Sequence, residues 1–210
     1  AVSTNMTYFY REPAHFHHLE SILIPQWQAE KAAGRRSRFR IWSAGCSTGE
    51  EPYSLAMSLN KCIPDAAAWD LKVLAVDISY RVIEEAREGI YTREKINTVP
   101  AELRARYLTP LRDEEGHLQV DDVLRKLIVF RELNLVLPAY PFNGRFDLIL
   151  CRNVMLYFDA RTQERLLDNL HRHLYPGGTL FVGHVEVLEG LRHRFKYIAP
   201  GIYRKPDVGL

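Results

Sequence analysis

Three observations predict an α/β fold for this chain of 210 residues. Short apolar runs of strand length alternate with amphipathic stretches, as in parallel sheets whose two faces are covered by helices. Residues 41–57 read as the end of a buried strand, a loop with two glycines and the start of a helix. Polar residues follow the apolar strands, where open sheets of this type bind ligands. The length suits one such domain with a full core rather than two equal domains.

The first predicted element is a helix over residues 15–28, preceded by Pro13, which is tolerated at a helix start. Its apolar face consists of Phe16, Leu19, Leu23 and Ile24. His15, His17 and His18 have ligand chemistry, but no cluster that would supply a fourth ligand accompanies them. We therefore predict no metal site.

The next elements alternate regularly. A first strand over residues 39–43 leads through the glycine loop into a helix that ends near Cys62. Pro64 and Asp65 break the chain before a second strand at residues 71–76, which ends in Asp77. A helix at residues 82–87 follows.

The alternation lapses between Gly89 and Arg125. Residues 107–110 read as the end of a short helix, and residues 113–120 as part of a hairpin with a charged turn. We therefore expect a small antiparallel β insertion at about residues 91–126, on the rim of the sheet. Partner recognition and protection of a sheet edge both remain open as its use.

The remaining elements complete the sheet. Strands are expected at residues 127–131, 146–150 and 179–182, with a helix at 162–174. Pro176-Gly177-Gly178 is expected to form a turn before the last of these strands. Residues 195–198 and 201–204 are expected to close the chain as an antiparallel pair.

Composition excludes several classes of function. The 28 basic and 26 acidic residues give a formal net charge of +2, which offers no bulk attraction for nucleic acid. The apolar runs have strand length, so no membrane insertion is predicted.

Cys46, Cys62 and Cys151 lack CxxC spacing and are odd in number, which indicates reduced thiols in a cytoplasmic protein. Because the chain begins at Ala1, without an initiator methionine, we expect a fragment that lacks its upstream part.

Two carboxylates decide which ligand the glycine loop accepts. Glu50 and Glu51 occupy the place where a phosphate would lie, and the loop lacks the lysine or closely spaced glycines of a phosphate cradle. Because two negative charges would repel an anion in a poorly hydrated cleft, the ligand should be neutral or cationic. S-adenosylmethionine fits, with a sulfonium, an ammonium and no phosphate. The alternative interpretation is that Ser47 with Glu50 and Thr48 with Glu51 form capping boxes at the start of the following helix. Capping and ligand binding can also coexist.

Two further strand ends carry candidate binding groups. Asp77 is well placed to accept hydrogen bonds from a ribose diol, and equally well placed as the N-cap of the following helix. Arg152 and Asn153 follow a nearly all-apolar strand, at the edge where an α/β sheet binds its ligand.

Four blocks together resemble one family, the chemotaxis receptor methyltransferases of the CheR type. The blocks are Thr-Asn-Met-Thr-Tyr-Phe-Tyr-Arg-Glu at 4–12, Trp-Ser-Ala-Gly-Cys-Ser-Thr-Gly-Glu-Glu-Pro-Tyr-Ser at 42–54, Cys-Arg-Asn-Val-Met-Leu-Tyr-Phe-Asp at 151–159 and Pro-Gly-Gly at 176–178. The second and third are long and unusual, and the resemblance covers essentially the whole chain.

The resemblance implies a Rossmann-like S-adenosylmethionine methyltransferase sheet over residues 1–210, without the helical domain that usually precedes it in the family. The implied reaction moves a methyl group from S-adenosylmethionine to glutamate side chains in the helical cytoplasmic region of a chemoreceptor. Its products are a glutamate methyl ester and S-adenosylhomocysteine. The alternatives are a methyltransferase with another acceptor and a non-catalytic module that binds S-adenosylmethionine.

The resemblance also assigns site residues. Arg11 and Tyr157 are expected beside the transferring methyl group, although on its residues alone Tyr157 is equally a core aromatic. The cofactor is expected to contact Asn5, Thr7 and Arg11 near the methyl group, Ala44, Gly45, Glu50 and Glu51 in the glycine loop, Asp77 at the ribose, Asn134 and Leu135 at the adenine, and Arg152 and Asn153 in the rest of the pocket.

The implied reaction needs few catalytic groups. A glutamate carboxylate, with an ordinary pKa near ~4.3, is already the nucleophilic anion at neutral pH, so no general base is required. Rate is expected to come mainly from holding the reacting atoms in line, which contributes ~7 to 11 kcal/mol in well-oriented systems. Arg11 is expected to steer the carboxylate with a forked pair of hydrogen bonds, and Tyr157 to supply one hydroxyl.

The chain departs from the family pattern in three places. Residues 183–186 read Gly-His-Val-Glu where the family often has Gly-His-Ser-Glu, so a role of that hydroxyl is absent. Tyr10 stands where phenylalanine is common. The glycine-rich turn associated with docking of a receptor's C-terminal tether peptide is not evident in residues 109–116, so we expect no dependence on such a tether.

Overall fold

The computed structural model describes residues 7–63, 68–112 and 116–207. Within these ranges, the strands form two sheets. The strands are β1 Arg38–Ala44, β2 Asp70–Asp77, β3 Ile90–Tyr91, β4 Leu108–Pro110, β5 Leu118–Val120, β6 Ile128–Glu132, β7 Phe146–Cys151, β8 Leu174–Val182, β9 Lys196–Ala199 and β10 Ile202–Arg204. The helices are α1 Pro13–His18, α2 Ile24–Ala32, α3 Glu50–Cys62, α4 Tyr80–Glu88, α5 Ala101–Tyr107, α6 Asp122–Arg125 and α7 Ala160–His173. Short 3-10 turns lie at Lys95–Thr98 and Met155–Tyr157.

The larger sheet has seven strands in the order β6-β2-β1-β7-β8-β10-β9. Neighbours from β6 to β8 are parallel, and β10 runs antiparallel to β8 and β9. The central strand β1 sends Phe39 and Ile41 into one hydrophobic core and Trp42 and Ala44 into a second, because successive side chains of a strand point to opposite faces. Helices α1 to α4 contribute to the first core and α7 to the second. The predicted α/β sheet with helices on both faces is confirmed.

The smaller sheet is antiparallel, in the order β3-β5-β4, and lies within the predicted insertion. The predicted hairpin is confirmed by the pairing of β4 with β5, while its charged turn at residues 113–115 lies outside the described residues. Tyr91, Leu103 and Val120 from this region join the same core as α3 and β1. The insertion is therefore packed against the body of the protein.

Strand β8 is longer than the sequence predicts. It begins at Leu174, directly after α7, so the expected Pro176-Gly177-Gly178 turn is wrong. The register to β7 shifts between Leu174 and Thr179, and Gly177 has φ 74°. Gly177 N–H donates to the Lys205 carbonyl at 3.0 Å, which keeps this irregular segment in the sheet.

The N-terminal helix is also longer than predicted, because a π-helical turn at Leu19–Leu23 joins α1 to α2 and extends it to Ala32. The predicted break at Pro64 and Asp65 lies outside the described residues. No helix within the described ranges has the length and apolar character needed to cross a membrane.

Candidate active site

A cavity of about 720 Å³ opens at the carboxyl ends of four parallel strands. Its wall includes Gly45 after β1, Asp77 at the end of β2, Asn134 after β6 and Asn153 after β7. Its volume falls within the range of about 300–1,000 Å³ that is usual for small-molecule sites. The edge predicted from the sequence is therefore the edge that forms a pocket.

Most of the predicted site residues meet at this cavity. Its wall contains Thr7, Arg11, Gly45, Glu51, Asp77, Asn134, Leu135, Arg152, Asn153 and Tyr157. Tyr157 is 59% exposed, so its interpretation as a core aromatic is wrong. Among the other predicted contacts, Asn5 lies outside the described residues, and Ala44 and Glu50 do not line the described wall.

Glu50 contacts the insertion instead of the cavity. Its fully buried carboxylate accepts hydrogen bonds from Thr48 Oγ1 at 2.7 and 2.9 Å and pairs with Lys95 Nζ at 2.9 Å. Helix α3 begins at Glu50 with Gly49 as its N-cap, at φ 96°, and no side chain in the described structure caps it. The predicted capping boxes of Ser47 and Thr48 are therefore wrong, because glycine occupies the cap position.

The loop between β1 and α3 is fixed by contacts to the end of β2. The N–H groups of Gly45 and Cys46 both donate to the Val76 carbonyl at 2.8 Å, and Ser47 N–H donates to Asp77 Oδ2 at 2.9 Å. Gly45 has φ 91°, and a Cβ there would collide with the side chain of Val154. Glycine meets both conditions, and the three backbone hydrogen bonds hold the loop against the cavity.

Asp77 fixes this loop and also faces the cavity. Its Oδ1 accepts a hydrogen bond from Ser79 N–H at 3.1 Å, but Ser79 itself is the N-cap of α4, so the N-cap interpretation of Asp77 is wrong. A carboxylate has about four acceptor positions, so two backbone contacts leave capacity for the hydroxyl groups of a ligand.

A buried cluster of charges lies behind Arg11. The Arg152 side chain is 3% exposed, and its Nε lies 3.4 Å from Glu51 Oε2 and 3.6 Å from Glu12 Oε2. Its Nη2 donates to the carbonyl of Arg11 at 2.5 Å. Burial raises the pKa of Glu51, while Arg152 and a 2.6 Å hydrogen bond from Ser43 Oγ lower it in part. Arg152 thus compensates two carboxylates and fixes the main chain that carries Arg11.

Three groups with metal-ligand chemistry also lie together, namely Glu12, His15 and His184, with ligand atoms within 4.8 Å of one another. His15 is 1% exposed, and burial, followed by the nearby charge of Arg152, lowers its pKa to about 3. A divalent cation here would lie beside the cationic Arg152 guanidinium, whose Nε is 3.6 Å from Glu12 Oε2. We assign no metal to this cluster, because that positive charge opposes one.

The sequence does not predict one further residue at this edge. Glu186 is 6% exposed and accepts hydrogen bonds from the backbone N–H groups of Asn153, Met155 and Gly183. The available signals are its place in the Gly-His-Val-Glu segment at residues 183–186 and its position four residues after the apolar end of β8. Those signals do not reveal which backbone groups the carboxylate binds.

Comparison with known proteins assigns the chain to a family. Residues 5–203 match the family described as CheR methyltransferase, SAM binding domain. The chain belongs to the CheR methyltransferase family. A chemotaxis protein methyltransferase of Borreliella burgdorferi is 42% identical over 205 residues, which are 97% of this chain and 71% of that protein. The chemotaxis protein methyltransferase of Escherichia coli is 40% identical over 205 residues, 97% of this chain and 68% of that protein.

Among solved structures, a SAM-dependent methyltransferase of Methanosarcina mazei superposes with a TM-score of 0.42 and 18% sequence identity, over 70% of this chain and 52% of that chain.

Membership of the CheR family identifies the chain as an S-adenosylmethionine-dependent methyltransferase, and the cavity fits this cofactor. Glu51 and Asp77 bring negative charge to its wall, while Ile78, Leu133 and Leu135 give it an apolar side. No lysine lines the cavity among the described residues. The wall also contains Arg11 and Arg152, with Arg152 beside Glu51, so its negative charge is balanced in part. The predicted preference for a ligand without phosphate rests on Glu51 and Asp77 rather than on Glu50.

Proposed function

We propose that this CheR-family domain transfers the methyl group of S-adenosylmethionine to glutamate side chains in the helical cytoplasmic region of a chemoreceptor. The products are a glutamate methyl ester and S-adenosylhomocysteine. The observation that carries the proposal is a single cavity whose wall combines the carboxylates of Glu51 and Asp77 with Arg11 and the exposed Tyr157. The names of the relatives, chemotaxis protein methyltransferases, support the same substrate class.

The proposed cofactor contacts follow the cavity wall. We assign Asp77 to the ribose, Asn134 and Leu135 to the adenine, and Thr7, Gly45, Glu51, Arg152 and Asn153 to the remainder of the pocket. Asn5 stays a proposed contact on the family resemblance alone, and Ala44 belongs to the strand that supports the loop. The contacts of Glu50 with Thr48 and Lys95 favour a role in anchoring the loop.

Positioning is the main task of the protein groups in this reaction. When bound, S-adenosylmethionine supplies an activated methyl group on a sulfonium. Arg11 is proposed to hold the acceptor carboxylate through a forked pair of hydrogen bonds, and Tyr157 to orient it with one hydroxyl. Because that carboxylate is anionic at neutral pH, no residue has to remove a proton. The grip of Arg11 must remain moderate, since tighter binding of the ground state alone does not raise the rate.

Transfer of a radiolabelled methyl group to receptor fragments tests the function. Base-labile label on glutamate supports the proposal, and stable label on another group indicates a different acceptor. Binding of S-adenosylmethionine without transfer indicates a non-catalytic module. Mass spectrometry of the labelled fragment identifies the modified side chain.

Replacing Asp77 tests the ribose assignment. Asp77→Ala is expected to weaken S-adenosylmethionine binding by about 1–3 kcal/mol, because a charged hydrogen-bond acceptor is lost. Isothermal calorimetry measures this change. Asp70→Ala is the matched control. Asp70 begins β2, at the end of the strand opposite Asp77, and pairs there with Arg38 and Arg40. Equal affinities of Asp77→Ala and wild type would remove Asp77 from the cofactor site.

The insertion suggests that transfer does not require a receptor tether. Residues 109–116 lack the glycine-rich turn associated with tether docking, and in the described part of this segment the only glycine is Gly116. We expect no measurable heat when a receptor C-terminal pentapeptide is titrated into the protein at micromolar concentration. Tight binding of the pentapeptide would contradict this expectation if Thr109→Pro or another change on β4 abolished that binding.

We further propose that residues 1–210 act as one methyltransferase domain in the cytoplasm, with the insertion at about 91–126 as its subdomain. The packing of Tyr91, Leu103 and Val120 into the same core as β1 supports a single unit. The cytoplasm is where the proposed helical substrate region of a chemoreceptor is exposed.

A further inference from the structure

We propose that Glu186 is a positioning residue for methyl transfer, which fixes Asn153 and the turn that carries Tyr157 through backbone hydrogen bonds. This inference rests on the proposed function of the cavity but not on the identity of the acceptor. Glu186 does not line the described cavity wall, so it acts through residues that do.

The carboxylate of Glu186 connects the ends of two parallel strands. Its Oε2 accepts hydrogen bonds from Asn153 N–H at 2.6 Å, after β7, and from Gly183 N–H at 2.7 Å, after β8. Its Oε1 accepts one from Met155 N–H at 2.8 Å. Since Met155 begins the 3-10 turn that ends at Tyr157, one buried side chain determines the path of the segment that carries two site residues.

The contacts of Glu186 stabilise an uncommon local backbone conformation. Asn153 has φ 58°, a left-handed conformation that costs free energy for most residues with a side chain, although asparagine adopts it more readily than most. Gly183 makes room for the arrangement, because a Cβ there would lie 2.6 Å from Asn153 Nδ2 and 2.8 Å from Glu186 Oε2. Val154, which follows Asn153, packs against Gly45. The position of this segment therefore also limits where the glycine loop can lie.

Both side-chain oxygens of Glu186 act as acceptors in this arrangement. Two carboxylate oxygens accept all three N–H groups, whereas the amide of glutamine offers one oxygen and one donor group. Glu186→Gln therefore sets a donor against at least one backbone N–H while preserving the size of the side chain. We expect the segment to shift and the cofactor site to lose its shape.

Asp147 provides a matched control at the other end of β7. Its carboxylate is equally buried, accepts a hydrogen bond from Arg40 N–H at 2.7 Å and pairs with Arg36 Nη2 at 2.6 Å. Asp147→Asn should lower the melting temperature, as Glu186→Gln should, but it lies at the edge of the sheet opposite the cavity. A purely structural role of Glu186 would give the two variants the same behaviour.

The experiment measures binding of S-adenosylhomocysteine by calorimetry, kcat for methyl transfer and the melting temperature for both variants. Glu186→Gln should raise Kd and lower kcat, each by about tenfold or more, because small misplacement of reacting groups is costly. Asp147→Asn should leave Kd and kcat near the wild-type values. Wild-type Kd and kcat in Glu186→Gln, or equal losses in both variants, would overturn the proposal.

Gly183→Ala is a second variant for the case in which Glu186→Gln does not fold. It retains the glutamate, but its Cβ crowds both Asn153 Nδ2 and Glu186 Oε2 and so disturbs the same contacts. It should raise the Kd for S-adenosylhomocysteine by a similar factor, and an unchanged Kd would overturn the proposal. Because binding needs no acceptor, a wild-type protein that binds S-adenosylhomocysteine but does not methylate receptor glutamates would contradict the proposed function alone.

Discussion

Arg11→Ala should give a folded protein that transfers methyl groups about 100-fold more slowly than the wild type, because the acceptor carboxylate loses its positioning group. The fold should persist, since the main chain at Arg11 is held from Arg152 and the changed side chain lies at the cavity wall rather than in the core. Initial rates of label transfer and calorimetric Kd values for S-adenosylmethionine separate the effect on rate from the effect on binding. We expect kcat to fall more than affinity.

Two further variants define what Arg11 contributes. Arg11→Lys keeps the positive charge but loses the planar fork, so its rate should lie between those of wild type and Arg11→Ala. Arg81→Ala removes an exposed arginine of α4 that pairs with Glu85 at 3.8 Å, and it should leave the rate unchanged. A wild-type rate in Arg11→Ala would exclude this residue from the active site.

The positions of the strands are accessible from the sequence wherever the signal is local. β1 and β7 are short apolar runs bounded by polar residues, and their predicted bounds differ from the observed ones by one residue at each changed end. β8 differs more, because proline and two glycines resemble a turn. Gly177 and Gly178 stay in the sheet through backbone hydrogen bonds with Lys205. Nothing local in the sequence reveals a partner so far along the chain.

The candidate site shows the same distinction between local and distant signals. The sequence predicts Gly45, Asp77 and Asn153 at one site because the carboxyl ends of parallel strands share one edge. The adjacent Glu50 and Glu51 read as a pair in the sequence, but neighbouring helix residues point about 100° apart, so Glu51 lies at the cavity and Glu50 at the insertion. Spacing identifies the edge of the sheet, whereas the role of each carboxylate depends on the partner it finds there.

Arg152→Met should destabilise the protein by about 3 kcal/mol, because it leaves two largely buried carboxylates without their cation. Glu51 and Glu12 both lie within 4.0 Å of Arg152 Nε, and the Arg11 carbonyl loses its donor. Methyl transfer should be lost as well. Urea unfolding monitored by circular dichroism measures the free energy of unfolding.

Arg36→Met is the matched control for this substitution. Arg36 pairs with the buried Asp147 at 2.6 Å, but its side chain is half-buried and Asp147 keeps the hydrogen bond from Arg40 N–H. The expected loss is about 2 kcal/mol, without a change in cofactor affinity. Equal stability losses in the two variants would show that Arg152 has no special structural role.

The pH dependence of the Arg152→Met effect distinguishes charge from packing. Arg152 lowers the pKa of both Glu51 and His15 in the folded protein, so its removal raises both pKa values. The folded variant then binds protons that the folded wild type does not, and proton binding to the folded state is favoured by acid. The loss of stability should therefore be smaller at pH 5 than at pH 7, and adding Glu51→Gln should reduce this difference. A loss that is the same at both pH values would mean that Arg152 stabilises the site by filling space, and the two carboxylates would then need another source of compensation.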